Sequence, residues 1–131
     1  MSSLIWQDKE QRTTPPASLI TEAWISPTST TKPENRLILG DNLAIMTALL
    51  PEYEGRINLI YIDPPFFTNR KFPARIGRGE DSRKPGEWQM AEGYGDHWDD
   101  LDAYLDFLYQ RLLLIHRLLA PNGTLYLHLD W

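Results

Sequence analysis

The chain of 131 residues contains no cysteine, which removes disulfide frameworks and thiolate metal sites together. Its three histidines, His97, His116 and His128, lack the spacing of a metal-ligand set, so no metal is expected. No apolar run approaches the roughly 20 residues of a membrane-spanning helix, and no membrane partner is expected. The opening residues 1–10 lack the basic and then apolar regions of a secretory signal, which makes the cytoplasm the expected location. Positive charge is also short: 13 basic against 18 acidic residues give a net charge of −5. Global charge therefore neither argues for nucleic-acid binding nor excludes it. Finally, no glycine-rich phosphate loop follows an apolar run, so a nucleotide held by its phosphates is not expected. A cofactor without phosphates fits better.

What is present is a globular composition, 42% apolar and 11% aromatic, in a length that suits one modest domain. Residues 1–35 read as a poorly ordered amino-terminal arm. Eleven of them are Ser or Thr, four are proline (Pro15, Pro16, Pro27, Pro33), and no apolar period lasts. Trp6 and Trp24 are its candidate anchors. From Arg36 the pattern becomes regular. Arg36-Leu37-Ile38-Leu39 reads as a short strand and Gly40-Asp41 as a turn. Leu43, Met46, Leu49 and Leu50 then recur at helical spacing from Asn42, with Asp41 placed to cap the helix and Pro51 to stop it. Residues 57–62 read as a second strand, whose near-continuous apolar character predicts burial on both faces.

Regularity is lost from Phe67 to about Trp98, a stretch of about 30 residues and far above the usual connection length. Six basic residues, Arg70, Lys71, Arg75, Arg78, Arg83 and Lys84, stand there against Glu80 and Asp81. Such a patch suits phosphate or simply solvent. Leu101, Tyr104, Leu105, Leu108, Leu112, Ile115 and Leu119 then mark the strongest helix, over about 100–119. Asp99 and Asp100 open it and Arg117 lies near its end, as the helix dipole favours. Pro121-Asn122-Gly123 is expected to end it, and residues 124–129 form a third strand. Strand, helix, strand, loop, helix, strand predicts an open α/β sheet with parallel strands.

In such sheets ligands bind outside the carboxyl ends of the strands. Three ends are visible: Gly40-Asp41-Asn42, Asp63-Pro64-Pro65-Phe66 and His128-Leu129-Asp130. The second is unusual. Two prolines stiffen the backbone and remove two N–H donors, leaving a carboxylate, carbonyl acceptors and a flat ring. That is acceptor chemistry beside a stacking surface, which suits a planar ring bearing an exocyclic amine. His128 reads first as a core histidine, and Tyr61 as packing.

Asp63-Pro64-Pro65-Phe66 resembles the D/N/S-P-P-Y/F/W signature of the amino-methyltransferases, which use S-adenosylmethionine to methylate exocyclic amines of DNA bases. More closely, the chain is similar to site-specific DNA methyltransferases of the β arrangement, related to type III modification subunits. The matching pieces are Leu39-Gly40-Asp41-Asn42-Leu43, residues 61–67, Asp96-His97-Trp98 and residues 118–130, so the resemblance covers about 36–131. It implies a partial Rossmann-like, S-adenosylmethionine-dependent methyltransferase fold with a mostly parallel sheet. It implies double-stranded DNA as substrate, with adenine flipped out of the duplex because its amine is unreachable in the stack. Asp63 and the Pro64 carbonyl would accept hydrogen bonds from N6, Pro65 would stiffen the turn, and Phe66 would stack on the base. Asp41, with Asn42, matches the position that contacts the cofactor's adenine. Arg70, Lys71, Arg75 and Arg78 are the candidates for the DNA backbone.

The family's glycine-rich F-x-G-x-G segment, and an acid for the cofactor's ribose, are missing. In the β arrangement both follow the catalytic half, together with a recognition domain. Residues 36–131 are therefore expected to be the amino-terminal, catalytic part of a larger enzyme, partnered by the missing carboxyl-terminal part or a restriction subunit. Alone, residues 1–131 are expected to expose apolar edges, to be unstable or to aggregate, and to transfer no methyl group. Three alternatives stay open: an N4-cytosine DNA methyltransferase, a methyltransferase acting on an amine in RNA or on protein glutamine, and a non-catalytic binding module of the same fold.

Overall fold

The strongest periodicity in the sequence becomes the longest helix. In the computed structural model, which describes residues 4–7, 9–21, 35–76 and 89–130, that helix is α2 (Leu101–Leu118). Asp100 caps it by accepting the Ala103 N–H at 2.8 Å, a contact worth about 1 kcal/mol. Asp102 in its first turn and His116 and Arg117 in its last complement the dipole. Its inner face buries Tyr104, Leu108, Ile115 and Leu118, and burying each leucine or isoleucine contributes roughly 1.5–3 kcal/mol.

Helix α1 (Asn42–Tyr53) packs against α2 and is followed by strand β1 (Ile57–Ile62). Asp41 caps α1, its carboxylate accepting the Leu43 N–H at 3.1 Å. The turn between α1 and β1 is stitched to the end of α2: Gly55 and Arg56 N–H groups donate to the Arg117 and Leu118 carbonyls at 2.8 and 3.1 Å. Those carbonyls have no partner inside their own helix, so the turn satisfies both sides. Gly55 turns there at φ 68, where a glycine carries no steric cost.

From α2 the chain passes directly into β4 (Leu119–Leu127), which pairs parallel with β1. Leu59, Ile60, Tyr61 and Ile62 stand opposite Thr124, Leu125, Tyr126 and Leu127, and Ile57 opposite Leu119. Pro121-Asn122-Gly123 is thus an irregularity inside β4 and not a turn before it. Proline and glycine are tolerated there because the bulge leaves the ladder locally unpaired. A second, antiparallel sheet is formed by β2 (Arg70–Ile76) and β3 (Gln89–Asp96). The observed order is α1, β1, the β2–β3 hairpin, α2, β4: an α/β arrangement around a two-stranded parallel sheet.

Several expectations are corrected. Residues 36–39 are extended but pair with no strand among the described residues, and Leu37 and Leu39 are almost wholly exposed. Strand β1 is not buried on both faces. Leu59 and Tyr61, with Tyr126 beside them, form an exposed row, while Ile60, Ile62, Leu125 and Leu127 are half-buried. Tyr61 is therefore not packing. The irregular stretch 67–98 contains the hairpin, whose first strand alternates at Phe72, Ala74 and Ile76 but is broken by Pro73, and whose second carries Gly93 and Gly95. Pro51 lies inside α1, in its last turn. Helix geometry survives two residues past it, and the Glu54 N–H still reaches the Leu50 carbonyl at 3.0 Å.

The described part of the arm runs along α2. Trp6 meets Tyr109 edge-on with centroids 5.3 Å apart, and the Lys9 ammonium sits 4.5 Å from the Trp6 ring centre. Buried Gln110 grips the arm's backbone, accepting the Arg12 N–H at 3.0 Å and donating to the Glu10 carbonyl at 2.6 Å. Arg12 pairs with Asp106 at 2.9 Å. Trp24, the other expected anchor, lies outside the described residues.

Gly123 gives a direct test of the β1–β4 junction. A Cβ there would lie 2.8 Å from the Ile57 carbonyl oxygen and 2.8 Å from Leu119 Cδ2, whereas one at Gly95 would meet nothing within 4 Å. Gly123→Ala should lower the unfolding free energy by about 1–3 kcal/mol, and Gly95→Ala should leave it nearly unchanged. Denaturant midpoints of the two variants decide this; equal midpoints would contradict the crowding.

Candidate active site

Strands β1 and β4 end side by side, and their register decides what stands there. Beyond the Ile62–Leu127 pair the ladder runs one step further, the His128 N–H donating to the Ile62 carbonyl at 3.0 Å. Asp63 and His128 therefore emerge together, continuing the exposed rows Leu59–Tyr61 and Thr124–Tyr126, since strand side chains alternate with a period of two. His128 Nδ1 lies 3.2 Å from Asp63 Oδ1, with both side chains more than half exposed. The Phe66 and His128 rings meet edge-on, centroids 5.1 Å apart at 71°. His128 is thus not a core histidine: it stands at the site, exposed, because β4's outward face is uncovered.

Past Phe66 the turn is organised by Asp96, the last residue of β3, which is 1% exposed. Its carboxylate accepts the Phe67 N–H at 3.0 Å, the Thr68 N–H and hydroxyl each at 2.6 Å, and the Trp98 indole N–H at 2.9 Å. Phe67 and Asn69 have φ of 62 and 56. Asn visits this left-handed region readily, but Phe67 pays for it in strain. Successive N–H groups around such a turn form an anion-binding nest, and Asp96 is its anion. Burial pushes the Asp96 carboxyl up, but the hydrogen bonds from Thr68, Trp98 and Phe67 outweigh it and lower the pKa to about 2.

A second tie comes from α2. The Tyr104 hydroxyl donates to the Pro65 carbonyl at 2.8 Å, and burial, then the Asp96 charge, raise its pKa, keeping it a donor. The Pro65 carbonyl is thereby occupied, whereas among the described residues no donor engages that of Pro64. The site thus presents the Asp63 carboxylate, one open carbonyl and the Phe66 ring on a doubly anchored turn.

Asp41 and Asn42 stand elsewhere, at the start of α1. Arg111 of α2 holds them: its Nε donates to Asn42 Oδ1 at 2.9 Å and one terminal nitrogen lies 3.7 Å from Asp41 Oδ1. Burial lowers the Arg111 pKa and Asp41 counters this. Among the described residues no contact runs directly between Asp41 or Asn42 and Asp63. Helix α2 connects the two groups, because Tyr104 and Arg111 are two turns apart, about 10 Å of rise on nearly one face. Rings fill the interval: Phe67 and Trp98 each pack on Tyr104 at 5.5 and 5.4 Å, Trp98 on Phe107 at 4.7 Å, and Arg111 stacks 3.4 Å over Phe107.

Of the basic candidates, Arg70 and Lys71 are exposed at the root of the hairpin, Arg70 standing opposite Asp96. Arg75 lies further along β2, opposite Met90, and Arg78 lies outside the described residues. Among the described residues no cluster of His, Asp or Glu is placed to hold a metal, and no helix is long and apolar enough to cross a membrane. Sequence reasoning did not assign roles to Asp96, Tyr104 and Arg111. Tyr104 was hidden in the apolar stripe of its helix. Arg111 left a signal only as a lone base among leucines.

A family model described as DNA methylase matches residues 57–131, which take in β1, the hairpin, α2 and β4. The chain is 30% identical, over 74% of its length, to the type III restriction-modification enzyme EcoPI Mod subunit of Escherichia phage P1, covering 17% of that protein. It is 28% identical, over 88% of its length, to the EcoP15I Mod subunit of Escherichia coli, covering 20% of it. It is 31% identical, over 76% of its length, to the probable HindVI Mod subunit of Haemophilus influenzae, covering 11% of it. The chain therefore spans about a fifth or less of the curated relatives it matches. No solved structure matches.

The Asp96 nest predicts a pH signature. Its folded pKa, about 2, lies below the ordinary 3.8, so its stabilisation is complete above about pH 4 and lost as pH falls towards 2. Asp96→Asn should unfold at lower urea than the parent at neutral pH, and the gap should shrink as pH drops from 4 to 2. A gap independent of pH would contradict the charge role.

Proposed function

Because the chain belongs to the DNA methylase family, we propose that it carries the amine-binding half of a site-specific DNA adenine-N6 methyltransferase that uses S-adenosylmethionine. The observation that carries this reading is the Asp63–Phe66 turn, with a carboxylate, a Pro64 carbonyl that no donor engages among the described residues, and a half-buried ring held together at a strand end. Asp63 and the Pro64 carbonyl accept the two amine hydrogens of a flipped adenine. Drawing on both hydrogens takes the nitrogen towards a tetrahedral shape and frees its lone pair. Phe66 stacks on the base, a contact worth about 1–3 kcal/mol. Catalysis of this kind is orientation and charge placement, since no protein nucleophile is needed.

When bound, S-adenosylmethionine supplies an electrophilic methyl group. The residues here suit one end of it. With Asp41 Oδ1 bonded to the Leu43 N–H and Asn42 Oδ1 to Arg111, the other Asp41 oxygen and the Asn42 amide N–H groups are left for the cofactor's adenine. Residues 36–131 act in this reading as the catalytic part of a Rossmann-like methyltransferase domain, with 1–35 as its arm. Arg70 and Lys71, with Arg75 and Arg78, contact the phosphates of double-stranded DNA. The kinship with Mod subunits supports a restriction subunit as partner, and a cytoplasmic location goes with it.

The test is methylome sequencing of a host expressing the complete reading frame, with and without Asp63→Ala. The expected result is N6-methyladenine in one sequence context, lost in the variant, with a fall in rate of at least about a hundredfold. N4-methylcytosine would instead favour the cytosine reading. An Asp63→Ala protein that methylates at the full rate would contradict the mechanism.

A further inference from the structure

We infer that His128 is a positioning residue for both halves of the amine-binding turn: it orients the Asp63 carboxylate through Nδ1 and supports the Phe66 ring by edge contact. The inference rests on the functional reading above and adds a residue to it. The parallel ladder puts His128 there without side-chain help, since its N–H donates to the Ile62 carbonyl at 3.0 Å. From that position one imidazole touches the two groups that would handle the base. Its Nδ1 is 3.2 Å from Asp63 Oδ1, and its ring lies 5.1 Å from that of Phe66 at 71°.

The chemistry assigns the contacts different jobs. A carboxylate only accepts, so for the 3.2 Å approach to act as a hydrogen bond Nδ1 must carry the hydrogen. Engaging Oδ1 fixes the rotation of the carboxylate and leaves Oδ2 to accept from the base amine. Both side chains are more than half exposed, so the pair adds little to stability. Its value lies in geometry, because small misplacements of an acceptor are costly in the transition state. In a T-shaped contact the imidazole meets Phe66 at its edge or on one face only, so at least one face of the ring is left to a stacked base.

Two substitutions separate the contacts. H128F keeps an aromatic edge against Phe66 but removes the donor; H128N keeps a donor near the Nδ1 position but removes the ring. In the full-length protein, on duplexes carrying the methylated sequence found by sequencing, H128F should lower kcat about tenfold or more with KM for DNA within about twofold. H128N should hold kcat within about threefold and raise KM for DNA, as expected when uniform binding is lost. Melting curves confirm folding; if H128F does not fold, H128N against H128A repeats the test, kcat being kept in the first and lost in the second. A wild-type kcat in H128F, or identical kinetics in H128N and in H128F or H128A, would overturn the inference. Asp63→Ala separates the two levels. If it remains fully active the functional reading fails, whereas an inactive Asp63→Ala beside a fully active H128F removes only the role of His128.

Discussion

The Asp96 carboxylate is the contact on which the rest of the site depends. A polypeptide leaving a strand through two prolines has lost two donors and has no ladder to guide it. Here the following residues wrap their N–H groups around one buried anion, and that anion belongs to a strand 28 residues further on. The arrangement explains why Phe67 tolerates a positive φ. The strain is local, the bonds that hold it are charge-assisted, and such bonds are about twice as strong as neutral ones. The same carboxylate takes the Trp98 indole, so the entry to α2 is fixed by the group that fixes the turn.

From there the fold works as a ruler. Helix α2 touches the strand-end turn through Tyr104 and the start of α1 through Arg111. Packed rings between those points keep them from sliding independently. In the reading proposed above, a methyl transfer needs its acceptor and donor held at a set separation, and a helix supplies about 1.5 Å per residue with little give.

Much of this was legible in the sequence, and what was not has physical reasons. Periodicity announced α2, and the apolar run announced β1, because those signals are local. The cap at Asp41 and the turn at Asp63 were legible for the same reason. The hairpin was missed because Pro73 interrupts the alternation of Phe72, Ala74 and Ile76, and Gly93 and Gly95 weaken the signal of Gln89–Asp96; their pairing is a long-range event. Residues 36–39 look like a strand yet pair with nothing among the described residues. Burial on both faces of β1 was misread because apolar content reports what a strand could bury, and its outward row Leu59–Tyr61 is open here. Asp96 could be matched by resemblance but not given its role, since an acid in sequence does not reveal which N–H groups will converge on it. His128 needed the register: only the parallel pairing places it beside Asp63.

The central claim is that this turn receives an exocyclic base amine. Mass spectrometry of nucleosides digested from DNA, after incubation with the full-length protein and isotope-labelled S-adenosylmethionine, tests it most directly. The account predicts the label on the N6 nitrogen of adenine. Label on a ring carbon of cytosine, or in protein with none in DNA, would contradict it.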